Sequence, residues 1–210
     1  MLFALLTWQV SSGGPLTHPE RRLLRWFTRM ALAHPGADTT AHYLCKLGNV
    51  QVAVPALLAA IVLTGRFGYE AGIARWWLPP AAGAVAMSVV PLVVVTVKDA
   101  VGRPAPGKIH PGPAGYGFFP SGHTATSAVA YGTATLLLLP WIRRAVLRAA
   151  LAAATVLLLF AVGAALVWCD YHWPLDVAAS WCMALSLWSG VAVAQALSEP
   201  PPRAVAADPR

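Results

Sequence analysis

The chain has 210 residues, of which 58% are hydrophobic and 11% charged, with a formal net charge of +7. That charged fraction is under half of the roughly 25% usual in soluble domains. It excludes disorder and disfavours a soluble globular fold, because so much apolar surface needs lipid to face. The 15 Lys and Arg residues are dispersed between apolar runs, which argues against a nucleic-acid partner. The three cysteines, Cys45, Cys169 and Cys182, cannot all pair, and none stands in a CxxC or CxxH spacing. Neither a disulfide framework nor a metal site is indicated.

In chain order, residues 1–10 form an apolar run too short to cross about 30 Å of hydrocarbon. It reads as a partial or short first span, or as a re-entrant or surface segment. Residues 11–16 (SSGGPL) break it. Residues 18–32 form a basic amphipathic helix, with Leu23, Leu24, Phe27 and Met30 on one face and Arg21, Arg22, Arg25 and Arg29 mostly on the other. Such a helix lies in the membrane interface or packs on the bundle. Apolar stretches follow at 47–64, 76–97, 124–139, 145–167 and 177–197. Trp76, Trp77, Trp141 and Trp168 stand at their ends, as an aromatic belt requires. The expected architecture is an all-α polytopic membrane helix bundle of five to six transmembrane helices plus the interfacial helix. It forms one domain over residues 1–200, with a Pro-rich disordered tail at 201–210. No internal repeat is visible.

Span counting places Arg66, Arg75, Arg143, Arg144 and Arg148 at one side, which the positive-inside rule makes cytoplasmic. The basic 21–29 helix sits on the other side and violates that rule. The same opposite face collects three polar clusters: Lys98 to Pro104 (KDAVGRP), Pro120 to His123 (PSGH) and His172 to Asp176 (HWPLD). Polar groups at membrane depth are costly and mark function. Lys98 and Arg103 offer cationic donors suited to phosphate. Ser121 and Gly122 precede a helix, whose N-terminal N–H groups bind anions. His172 and Asp176 are four apart, so the carboxylate can orient the imidazole as a nucleophile. His123 supplies a separate acid. An anion cradle, a nucleophile and a proton donor suit phosphoryl transfer.

The three clusters together resemble the signature of the phosphatidic acid phosphatase type 2 superfamily, whose pattern is Lys…Arg-Pro, then PSGH, then Ser-Arg, five residues, His, three residues and Asp. The resemblance covers about residues 45–197. It implies a six-helix fold with a site at the extracytoplasmic face of the cell membrane. It implies that His172 attacks phosphorus to form a phosphohistidine, that Asp176 orients it and that His123 protonates the leaving oxygen. Lys98, Arg103, Ser121 and Gly122 would hold the phosphate, with no metal and no cofactor. The implied substrate is a polyprenyl or glycerolipid mono- or diphosphate entering between helices from the surrounding membrane lipids. Association into a homodimer stays open.

Two departures stand out. Four residues separate Lys98 from Arg103, where the family has six, which turns Lys98 by about half a helical turn. The family's second phosphate-binding Arg, six residues before the nucleophile, is Leu166 here, preceded by Ala165 in place of Ser. Losing such a contact reduces rate by about 10²- to 10⁴-fold, unless Lys108 or His110 compensates. Asp170 would oppose phosphate unless paired. The alternative to a hydrolase is therefore a weak or inactive lipid-phosphate-binding accessory protein. A third reading is phosphoryl transfer to an acceptor other than water.

Overall fold

A computed structural model describes residues 1–110, 112 and 116–198. Among the described residues, eight α-helices follow in order: α1 (Leu2–Ser11), α2 (Thr17–Ala33), α3 (Asp38–Lys46), α4 (Val50–Glu70), α5 (Leu78–Val101), α6 (Gly122–Leu138), α7 (Ala145–Trp168) and α8 (Pro174–Leu197). Local chemistry sets several boundaries. Pro79 and Pro80 open α5, where a missing N–H has no consequence. Gly102 closes it in the left-handed region at φ 56°, donating its N–H to the Lys98 carbonyl. Pro174 opens α8 in the same way. The tail expected beyond residue 200 lies outside the described residues.

Among the described residues, α4, α5, α7 and α8 are long and apolar enough to cross a membrane. The 17-residue α6 sits among them, packed on all four, and carries more fully buried positions than any other helix. At 1.5 Å per residue it reaches about 26 Å. The core around it joins Ala53, Leu57, Val90, Val129, Met183 and Val191. Small residues on α6 admit large partners: a Cβ at Gly132 would stand 2.0 Å from the Trp188 indole. The short apolar α1 packs along α8 and α5, with Phe3 against the same core.

One element goes beyond the sequence expectation. The segment after the basic helix folds as α3, which packs on α7 through Ala41 and Cys45. The basic helix itself, α2, lies against one end of the bundle. Leu24 and Phe27 pack with Val167, Val177, Trp173 and Trp181, while most of its arginines stay exposed. Of the two placements expected for this helix, packing on the bundle is the one seen, because its apolar stripe has a protein surface to cover.

Candidate active site

Every helix from α2 to α8 sends a terminus or a flank to the same end of the bundle. A cavity of about 720 Å³ opens there between α4 and α5. Its polar head is lined by Lys98, Tyr116, Phe118, Gly122, His123 and His172, and its walls by apolar residues such as Val54, Met87 and Val95.

His172 is 6% exposed. Its Nδ1 meets Asp176 Oδ2 at 3.2 Å, which leaves Nε2 as the free ring nitrogen. The four-residue spacing works although His172 precedes α8, because Asp176 folds back over the helix start. Its Oδ2 also accepts from the Trp173 N–H at 3.1 Å, closing the first turn. The backbone N–H of His172 donates to the Leu166 carbonyl, so the end of α7 fixes the imidazole from the other side.

Asp176 is fully buried, and its Oδ1 accepts from Arg103 Nη1 at 2.6 Å. Arg103 in turn forks onto Glu20 of α2, with Nη2–Oε2 at 2.5 Å and Nη1–Oε1 at 3.2 Å. Its guanidinium lies 4.8 Å over the Trp173 ring, whose Nε1 donates to the Pro104 carbonyl. Glu20 Oε1 also accepts the Leu175 N–H at 2.8 Å. Burial pushes the Glu20 carboxyl above its ordinary value of 4.5, against the lowering effect of Arg103 and of the Leu175 N–H. A buried ion needs this density of partners to offset its desolvation.

Lys98 is buried and faces the cavity head. Its Nζ donates to the Gly117 carbonyl at 3.2 Å and sits over the rings of Tyr116, at 4.8 Å, and Phe118, at 5.5 Å. The segment 116–118 lies directly on the end of α5: Phe118 N–H donates to the Arg103 carbonyl. A Cβ at Gly117 would stand 2.5 Å from the Lys98 carbonyl oxygen, so only glycine permits this approach.

Ser121 caps α6, and its hydroxyl oxygen accepts from the Thr124 N–H and hydroxyl at 3.3 and 2.9 Å. It is fully buried and stands behind the cavity lining rather than in it. Gly122 and His123 are exposed to the cavity, and as the first residues of α6 their N–H groups have no intrahelical partner. His123 Nε2 donates to Asn49 Oδ1 at 2.9 Å, in this orientation of the Asn49 amide.

Residues 80–198 match the PAP2 superfamily. The chain belongs to that superfamily. A similar solved structure is the crystal structure of a transmembrane PAP2-type phosphatidylglycerolphosphate phosphatase from Bacillus subtilis. The TM-score is 0.71 and the identity 14%, over 91% of this chain and 92% of that one. At that identity the likeness is one of fold. A search of curated proteins gives no match. Family, fold and the apolar helices make this an integral membrane protein, and the family supports phosphatase function in general terms.

Within this PAP2 protein, Lys98, Gly122, His123 and His172 share one cavity, whereas Arg103, Ser121 and Asp176 form the layer behind it. Leu166 does not stand at the cavity. It is fully buried in a cluster with Ala41, Cys45 and Val162, so α3 occupies the side to which position 166 points. Lys108 and His110 are exposed and lie outside the lining, so neither supplies a second cation to the cavity head. Asp170 is paired, accepting from the Thr28 hydroxyl at 3.0 Å.

Sequence reasoning missed two residues. Asn49 at the start of α4 carries only the signal of an Asn before an apolar run. Glu20 carries a sharper one: it precedes Leu24 and Phe27 by four and seven positions, so a carboxylate stands on the apolar face of a basic helix.

Proposed function

We propose that the protein hydrolyses a lipid-linked mono- or diphosphate at the extracytoplasmic membrane face, by a phosphohistidine route. The observation that carries this is the placement of His172, oriented by Asp176, at the polar head of a cleft whose walls are apolar. From Lys98 to Met87 the α5 wall runs roughly 16 Å at 1.5 Å per residue. A phosphate at the head and a hydrocarbon tail along α4 and α5 match that division of surface. The extracytoplasmic face is taken from the family resemblance, since Arg66, Arg75, Arg143, Arg144 and Arg148 at the opposite end are offset by the exposed Arg21, Arg22, Arg25 and Arg29 of α2 at the site end.

In this scheme His172 Nε2 attacks phosphorus as the bond to the leaving oxygen breaks. Asp176 stabilises the positive charge that develops on the imidazole. His123 gives its proton to the leaving oxygen. Lys98 and the free N–H groups at the start of α6 hold the remaining phosphoryl oxygens. Water activated by His123 then attacks the phosphohistidine, releasing phosphate and restoring His172.

The test is phosphate release from a panel of polyprenyl and glycerolipid mono- and diphosphates in detergent with EDTA. Wild type releases phosphate, His172→Ala none, and Asp176→Asn falls by about 10²- to 10⁴-fold. Release unchanged in His172→Ala overturns the scheme. A second reading has an observation of its own. With Leu166 turned to α3 and Arg103 held by two carboxylates, the cavity has a sparse cradle, as a protein that binds lipid phosphate without turnover would have. Binding of the same lipids with no release by wild type favours it.

A further inference from the structure

The turn that joins α3 to α4 is built against the start of α6. The Tyr131 hydroxyl of α6 donates to the Leu47 carbonyl at 2.9 Å. Gly48 approaches so closely that a Cβ there would stand 2.8 Å from His123 Cβ and 2.9 Å from its carbonyl oxygen. Asn49 comes next, with its Oδ1 2.9 Å from His123 Nε2. Gly48, Asn49 and His123 all line the cavity. The whole turn is therefore clamped on α6, and its last residue reaches the imidazole.

Asn49 is also the N-cap of α4, in extended backbone at φ −68° and ψ 141°. In that position an asparagine side chain ordinarily accepts a hydrogen bond from an N–H of the first turn. Here it makes no such bond. Its oxygen serves His123 instead. A polar group that gives up its local role for a distant partner marks a place where function outweighs local stability. Asn49 lies outside residues 80–198, the span matched to the superfamily.

The chemistry fixes which amide atom faces the ring. As an acid, His123 carries a proton on both nitrogens, and each is then a donor. The amide oxygen accepts from Nε2, whereas the amide nitrogen would set donor against donor. With Nε2 so held, Nδ1 is the ring nitrogen that has no hydrogen-bond partner among the described residues.

We propose that Asn49 is a positioning residue for His123: it accepts from Nε2–H in both protonation states and so leaves Nδ1 to exchange protons with the substrate. This rests on the reading of His123 as the acid of a phosphohistidine route. In the first half, the P–O bond breaks with its electron pair going to the leaving oxygen, which takes the proton from Nδ1. The ring is left neutral, with Nε2–H still on Asn49 and a lone pair on Nδ1. In the second half, Nδ1 takes a proton from the water that attacks phosphorus, and the electron pair of the breaking P–N bond returns to His172.

The test reads the ring itself, so it needs no turnover. The full chain carries isotope-labelled histidine in detergent, and the nitrogen resonances of His123 are assigned by their loss in His123→Gln. In wild type the neutral ring holds its proton on Nε2. Asn49→Asp sets a carboxylate against Nε2 and moves the titration midpoint of His123 up by about one pH unit or more. Asn49→Leu moves it down, and so does Asn49→Ser, whose side chain still caps a helix but is too short to reach the ring. The alkaline limb of phosphate release, which reports the acid, shifts in the same order, and kcat falls about tenfold or more in Asn49→Leu and Asn49→Ser with KM little changed. A wild-type ring protonated on Nδ1 overturns the proposal by itself, even if the variants fail to fold. A midpoint unmoved by both Asn49→Asp and Asn49→Leu overturns it too. So does an Asn49→Ser protein that matches wild type, which is what a helix cap alone predicts. If the titration behaves as expected and wild type releases no phosphate, the hydrolytic reading is what fails, and Asn49 still holds the ring.

Discussion

Replacing Leu166 by Arg supplies the residue that the family pattern places six positions before the nucleophile, and the structure predicts that it will damage the protein rather than improve it. Leu166 is 0% exposed and packs with Ala41, Cys45 and Val162. Removing a buried leucine from such a cluster costs about 2–5 kcal/mol. Burying a guanidinium there adds several kcal/mol more unless a carboxylate meets it. Asp38 and Asp170, at the same end of the bundle, are already engaged by Trp168 Nε1 and the Thr28 hydroxyl. A loss of about 5 kcal/mol lowers the midpoint of thermal unfolding by about 10 °C or more in a chain of this size. The assay is thermal unfolding in detergent of wild type, Leu166→Arg and the volume-conserving Leu166→Met, alongside phosphate release. Leu166→Met stays within about 1.5 kcal/mol of wild type, and Leu166→Arg unfolds early with no gain in release. A Leu166→Arg protein as stable as wild type and faster would refute the reasoning, since its side chain would then have to reach the cavity.

Three other expectations follow from the geometry. Gly48→Ala places a Cβ 2.8 Å from His123 Cβ and 2.9 Å from its carbonyl oxygen; the imidazole is displaced, and phosphate release falls by about 10²-fold, the scale of a misplaced catalytic group, while the far end of the bundle keeps its hydrogen-exchange protection. Burial raises the Glu20 carboxyl above 4.5, so the folded state holds that proton more tightly than the unfolded chain. Its contribution is therefore fully present below pH 4.5 and is lost as pH rises through the folded-state value. Unfolding midpoints of wild type and Glu20→Gln, compared from pH 4 to 8, should diverge in that sense, and a parallel pair of curves would contradict it. The Cys45 thiol is pushed up to about 12 by burial, with Cys169 adding to the rise; it therefore resists maleimide at pH 8 in the folded protein, and mass spectrometry showing rapid labelling would contradict its placement.

Hydrophobic run length decides the membrane bundle, and it was legible without a structure because a span must bury its own backbone polar groups in about 20 apolar residues. The pairing of His172 with Asp176 was legible for a similar reason: a four-residue separation brings the two side chains together wherever a helix begins between them. The convergence of Lys98, His123 and His172 followed from counting spans, since alternate helix ends share a face. The second layer was not legible. Arg103 reads in the sequence as a phosphate ligand, but its partners are Glu20, 83 residues earlier, and Asp176, 73 residues later. No local periodicity encodes such a contact. Leu166 likewise reads as a missing ligand, whereas its surroundings come from α3, a helix the sequence did not announce. Local chemistry along the chain determines which segments cross the membrane and which residues can carry phosphate chemistry. Only packing between distant helices decides which of those residues face the cavity, because burying a charge requires a partner, and the partner is chosen by the fold.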